Sequence, residues 1–271
     1  MSADRTGGVG LSAAPSYGLM AERSSRVEDG ACRHLLVWRA GPGWRMLSSG
    51  VLGGGLGERR WVLNAQVRPG YDRMDPDRHL AELARVEGLN GPGVGLMTAA
   101  LVDDCAHAED DGVQVAVTAG IGVPTWASAA AGLSESRGGH FPGTINIVAA
   151  VPAAMSDAAM VNLVATATEA KVQALLDAGY DCSGTPSDAV CVAARVPRTT
   201  DEVEPFGGPR SAWGAPLARA VYRAVREGAE RDRQRRTAGM PKQHPAPTPA
   251  CRFSSATALA TPLHLGFGSG Q

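Results

Sequence analysis

Three polar clusters sit where a folded chain ordinarily carries apolar side chains. Thr144 and Asn146 interrupt the run Gly143-Thr144-Ile145-Asn146-Ile147-Val148. Glu169 and Lys171 interrupt an Ala/Val/Leu-rich segment between Ser156 and Ala178. Thr185, Ser187 and Asp188 open the apolar run Ala189–Ala194. A carboxylate at a strand entrance, as at Asp188, either caps a turn or serves as a general base or ligand-orienting group. Glu169 stands in a segment with almost no other charge along its middle, and an unpaired buried carboxylate is costly, so it needs a partner. Asn162, Thr166, Glu169 and Gln173 recur at helical spacing and share one face, either a solvated stripe or the edge of a site. Lys171, two residues past Glu169, points elsewhere, so the two form no pair within the helix. Thr118-Ala119-Gly120 ends another apolar run in the same style, with a hydroxyl followed by glycine.

Other chemistries lack their signatures. The run Gly53-Gly54-Gly55-Leu56-Gly57 has neither the spacing nor the following helix of a dinucleotide fingerprint. It reads as a hairpin loop or as backbone approaching a bulky ligand, which glycine permits. No phosphate-binding loop of the G-x-x-x-x-G-K-[ST] type and no G-x-S-x-G elbow occurs. The histidines at 34, 79, 107, 140, 244 and 264 are scattered, so no metal site is expected from spacing. A net charge of −1 and 5% aromatic residues disfavour a nucleic-acid partner. No apolar run approaches the roughly 20 residues of a membrane span, and no secretory signal is visible. Five scattered cysteines without a CxxC suit reduced thiols and a cytoplasmic location.

The elements that must position these groups can be read from pattern. Residues 1–31 have no sustained period and are expected to be a flexible arm. Arg33–Arg39 and Trp44–Ser49 predict strands joined at Gly41-Pro42-Gly43, and Arg60–Val67 predicts a third. Pro76–Glu87 predicts a short helix capped by Asp75. Val94–Leu101 and Val113–Ala119 predict strands separated by an acidic loop, and Thr144–Val151 another strand. Ser156–Ala178 predicts the longest helix, capped by Ser156 or Asp157 and ended by Gly179. Ser187–Val196 predicts a strand and Ala212–Glu230 a closing helix. Residues 231–271 are expected to be a dispensable disordered tail. The pattern is that of one α/β (or α+β) layered domain over residues 32–230, with a mixed sheet. Thr144 and Asn146, two apart in a strand, are expected to face one cavity, with Ile145 and Ile147 on the packed side.

Taken in order, LMTAA (96–100), VAVTAGIG (115–122), GTINIV (143–148), the segment 156–179 containing TEAK, GTPSDAVCVA (184–193) and GGPRSAWG (207–214) resemble the adenosylcobinamide amidohydrolase family, the CbiZ type. The resemblance covers residues 32 to 228. The chain departs from the family's pattern at Gly53-Gly54-Gly55, at Gly122-Val123-Pro124 and at Ser187, which stands for threonine. The resemblance implies hydrolysis of the amide joining the corrin ring's propionyl side chain to aminopropanol in adenosylcobinamide. The product would be adenosylcobyric acid for cobamide (vitamin B12) salvage, with the corrinoid as substrate and no cofactor. Such chemistry needs an activated water or nucleophile, oxyanion donors and an acid for the leaving amine. Asp188 or Glu169 would serve as base, and Lys171 or Asn146 would hold the oxyanion. If Glu169 and Asp188 share a pocket, their like charges would divide them into acid and base. Thr144, Thr185 and Ser187 would be nucleophiles or positioning groups. With Thr118, Gly54, Gly55, Gly143 and Gly184 they would line the substrate site. A non-catalytic corrinoid-binding protein and an autoprocessing enzyme with a Thr or Ser nucleophile stand as alternatives.

Overall fold

The computed structural model describes residue 19 and residues 21–129 and 143–238. The expected features at residues 1–18 and 239–271, and His140, lie outside these. Two stretches of the chain each run strand, helix, parallel strand. In the first, β5 (Val62–Gln66) leads through α1 (Pro76–Val86) to β6 (Val94–Thr98). In the second, β9 (Thr144–Ala154) leads through α2 (Asp157–Asp177) to β10 (Ala189–Arg195). Parallel neighbours require such a crossover, and the helix covers an outer sheet face.

The remaining strands complete two mixed sheets. The first has the order β1 (Ala21–Glu28), β2 (Ala31–Trp38), β5, β6. The second has the order β4 (Gly55–Glu58), β3 (Trp44–Ser48), β10, β9, β8 (Val113–Gly120), β7 (Ala106–Asp110). The closing helix α3 (Gly214–Thr237) lies beside α2 on the second sheet. The layers therefore run α1, first sheet, second sheet, α2 with α3.

Alternation along the strands builds this stack. In β9, Ile145, Ile147, Ala149 and Val151 join Leu163, Ala167 and Leu217 under the helices, while Val148 and Ala150 meet Trp38, Val62 and Leu96 between the sheets. In β5, Val62 faces the second sheet, and Leu63 and Ala65 face Leu80 and Leu83 of α1.

Several expectations are corrected. Gly55, Leu56 and Gly57 of β4 pair with β3, which shows that the glycine run is partly strand. β7 forms within the expected acidic loop. β2 and β3 do not pair: the turn at Gly41–Gly43 carries the chain from one sheet to the other. Ala21–Glu28, expected within a flexible arm, is a strand paired along its whole length with β2. At the other end α3 runs on to Thr237, so residues 231–237, expected in the tail, are helical. Ser156 caps α2 as expected, accepting from the Ala159 amide, whereas the Asp75 side chain does not cap α1 and pairs with Arg73. Cys105, Cys182 and Cys191 are free thiols, and Cys32 is disulfide-bonded, which departs from an all-thiol set.

Candidate active site

The ends of β3, β5 and β6 and the beginnings of β9 and β10 meet at one end of the sandwich. A cleft of about 450 Å³ opens there. One wall carries Thr144, Ser187 and Asp188; the other carries Arg68, Tyr71 and Arg73 from the connection between β5 and α1. Ser49, Gly50 and Thr98 lie between them.

Asp188 organises the first wall. Its Oδ1 accepts from the Ile145 amide at 2.9 Å and from the Thr185 hydroxyl. Its Oδ2 accepts from the Thr185 amide at 3.1 Å and from Lys171 Nζ at 2.6 Å. A carboxylate offers about four lone-pair positions, and all four are taken. The Lys171 and Asp188 side chains are only 8% and 12% exposed, so this ion pair is largely withdrawn from water. Gly184 makes room for it: a Cβ there would lie 2.2 Å from Asp188 Oδ2 and 2.7 Å from Lys171 Nζ. The one Thr185 hydroxyl proton is shared between Asp188 Oδ1 and the Gly143 carbonyl, 2.8 Å away, which also accepts from Ser187 at 3.0 Å, and Thr144 donates to Ser187 at 2.8 Å. Thr144, Ser187 and Asp188 thus reach the cleft, and Gly143, Gly184, Thr185 and Lys171 hold Asp188 in place.

Glu169 is not part of this site. An α-helix turns about 100° per residue, so residues two apart are about 200° apart around the axis. Lys171 points inward and Glu169 outward, into a separate groove with Gln173, Tyr222 and Arg223 between α2 and α3. Of the polar stripe, Asn162, Glu169 and Gln173 are exposed, and only Thr166 is buried, donating to the Gly207 carbonyl at 2.9 Å. The expected acid–base division between Glu169 and Asp188 therefore does not arise.

Asn146 and Thr118 are also relocated. Asn146 shares a strand face with Thr144, as expected, but lies deeper and is 1% exposed. Its Nδ2 donates to Asn64 Oδ1 at 2.9 Å and to the Met97 carbonyl at 2.8 Å, and Asn64 in turn donates to Thr118 Oγ1 at 2.9 Å. This polar chain ties β6, β5, β8 and β9 together between the sheets rather than lining the cleft. Gly54 belongs to the β3–β4 connection and Gly55 opens β4, and neither lines the cleft.

Some residues at the site escaped sequence reasoning. Asn64 interrupts the apolar strand Val62–Val67 in the same way as Asn146, so that signal was present. Tyr71 carried no signal. Its hydroxyl lies 3.0 Å from Nδ1 of the buried His79, and their rings stack at 5.7 Å. Burial pushes the Tyr71 phenol up and the His79 imidazole down, so both remain neutral. Burial also raises Cys182, beside the ion pair, and takes Cys105 and Cys191 up to about 12, which removes these three as thiolate nucleophiles.

A model of the family described as adenosylcobinamide amidohydrolase, CbiZ, matches residues 20–237. The chain belongs to this family. Its match takes in β1 and the whole of α3. A protein of Methanosarcina mazei named adenosylcobinamide amidohydrolase is 32% identical over 185 residues, covering 66% of this chain and 87% of its own. One of Halobacterium salinarum with the same name is 42% identical over 122 residues, covering 42% of this chain and 48% of its own. Among solved structures, a protein of Pyrococcus horikoshii aligns with a TM-score of 0.41 and 11% identity over 79% of this chain and 82% of its own, too distant to bear on the site. Three of the six segments that carry the family resemblance meet at one carboxylate: GTIN through the Ile145 amide, TEAK through Lys171, and GTPSD through Thr185 and Asp188 itself.

Proposed function

We propose that the chain hydrolyses the amide between the corrin propionyl side chain and aminopropanol in adenosylcobinamide, releasing 1-aminopropan-2-ol and adenosylcobyric acid. The observation that carries this reading is the convergence of three of the family segments, GTIN, TEAK and GTPSD, on Asp188 at the wall of a cleft. At about 450 Å³ the cleft suits a side arm of the substrate, with the macrocycle lying across its mouth.

Within the cleft, the Thr144 hydroxyl can turn from Ser187 to donate to the amide carbonyl as it gains negative charge, while Ser187 keeps its bond to the Gly143 carbonyl. Asp188 and Lys171 act one step back. With all its lone pairs engaged, Asp188 would have to surrender a donor before it accepted a proton from water. It is a positioning residue that fixes the Thr185–Ser187 turn against the start of β9. Arg68, paired with Asp72 and Asp29, and Arg73, paired with Asp75 and Glu82, place guanidinium donors on the opposite wall that suit hydrogen-bond acceptors on the corrinoid's rim.

The chemistry proposed is direct, with no resident metal or cofactor, and the compartment proposed is the cytoplasm. Purified protein incubated with adenosylcobinamide should release the amino alcohol, and chelator should leave the rate unchanged. A shifted corrinoid spectrum without release would instead identify a carrier. An intact mass showing two fragments would identify self-processing.

A further inference from the structure

With Glu169 outside the cleft and Asp188 fully engaged, the first wall offers no free base for water. The opposite wall does. Tyr71 reaches the cleft, and its hydroxyl meets His79 Nδ1 at 3.0 Å. On the far side of the imidazole, Nε2 lies 3.6 Å from Glu28 Oε1. Glu28 Oε2 is held in turn by Arg26 Nε at 2.8 Å, and Arg26 also bonds the Gln66 carbonyl at the end of β5. These groups come from β1, the β5–α1 connection and α1, and only Tyr71 of the three reaches the cleft. A carboxylate facing Nε2 favours the tautomer with the proton on Nε2. Nδ1 then accepts from the Tyr71 hydroxyl, which leaves the phenol oxygen's lone pairs for the cleft.

We propose that Tyr71, His79 and Glu28 form a proton relay that activates the hydrolytic water and then protonates the departing amine. The proposal rests on the reading of the chain as an amide hydrolase. In the first step water gives a proton to Tyr71 Oη as Tyr71 passes its own to His79 Nδ1, and the water oxygen bonds to the amide carbon. The imidazolium so formed is stabilised by Glu28. In the second step the C–N bond breaks with its electron pair moving to nitrogen. The nitrogen takes the proton from Tyr71, which recovers one from His79. One water is consumed, a carboxylic acid and an amine are produced, and the relay returns to its starting state. Tyr71 is the catalytic residue of the three; His79 and Glu28 act through it.

The groups facing His79 are Glu28 and Arg26 from β1, Arg73 and Tyr71 from the connection, and Glu82 from its own helix. Burial leads them in keeping the imidazole neutral, with Arg73 and Arg26 acting in the same direction and the two glutamates opposing.

Tyr71→Phe keeps the ring stack and removes the relay's first oxygen. It should lower kcat by about 100-fold or more, the usual range for a general acid or base, with KM and melting temperature unchanged. Glu28→Gln should lower kcat less and shift the acid limb of its pH profile. Near-wild-type turnover in Tyr71→Phe overturns the relay. A second measurement needs no turnover: nitrogen NMR of the imidazoles in the substrate-free wild type. His79 protonated on Nε2, with an Nδ1 resonance that moves in Tyr71→Phe, supports the relay, and a resting imidazole protonated on Nδ1 overturns it. If the wild type releases no amino alcohol, the hydrolase reading fails by itself, and the NMR result still decides whether the hydrogen-bonded chain exists.

Discussion

Asp188 and Glu169 show how little a residue's type says about its work. Both are carboxylates in apolar surroundings of sequence, yet one holds four hydrogen bonds beside Lys171 and the other faces solvent. Asp188→Asn removes the charge opposite Lys171 and sets an amide NH2 where an oxygen accepted from two donors. We expect turnover to fall by about 100-fold as the cleft wall loses its geometry, with corrinoid still bound, read from its visible spectrum. Lys171→Met leaves a largely buried carboxylate without its cation and should destabilise the fold by about 3 kcal/mol or more, measured by denaturant unfolding. Glu169→Gln should change turnover and stability little, as substitutions on a solvated face usually do. A large loss of activity in Glu169→Gln would mean that the groove between α2 and α3 takes part in the reaction.

At the scale of elements, the site is an assembly of strand ends. Gly184 lies where the chain enters β10, and any side chain there collides with the Lys171–Asp188 pair. Gly184→Ala should therefore abolish most activity while leaving the sheets intact by circular dichroism. The polar chain of Asn146, Asn64 and Thr118 does a different job, joining strands of both sheets. Asn146→Ala leaves Asn64 Oδ1 and the Met97 carbonyl without their donor, and a buried unpaired group costs about 1–3 kcal/mol. This variant should lose stability as well as turnover, contrary to the expectation from strand alternation alone. Asn64→Ala combined with it should cost less than the sum of the two, because each change strands the other's partner.

For the whole molecule, the two ends of the described chain close the structure. The last turns of α3 bring Arg231 to the Asp104 and Cys105 carbonyls, Arg233 to the Ala178 carbonyl, and Arg235 to Asp104. Asp232 is buried there. A chain ending at Glu230 should melt well below one ending at Ala238, and equal melting temperatures would show these contacts to be idle. Acid stability should follow the buried His79. Burial lowers its imidazole in the folded state, so between that lowered value and the ordinary one of about 6.5 the unfolded chain binds more protons. Its contribution is complete above about pH 6.5 and is lost as the pH falls through that window. His79→Gln should flatten the decline over the same range, measured by unfolding at a series of pH values.

Much of this protein was determined locally and was therefore readable. Strand alternation in Thr144–Val151, the capping serine at 156 and the glycine at 179 depend on neighbours in sequence, and they place β9 and α2 correctly. So do the spacing of GTIN, TEAK and GTPSD and the family they indicate. The strand of Ala21–Glu28 was not readable, because its Ser/Arg/Glu residues acquire a reason to extend only when β2 offers a ladder. The division into two sheets was also hidden, since a Gly-Pro-Gly turn looks the same whether it closes a hairpin or crosses between layers. Helical angle alone separated Lys171 from Glu169, but which of them faced the sheet depended on the packing of α2 against β10 and α3. The approach of Glu28, Tyr71 and His79 joins residues from β1, a loop and α1, and no sequence period links them. Contacts between elements far apart in the chain are set by how the layers stack, and that is decided only in three dimensions.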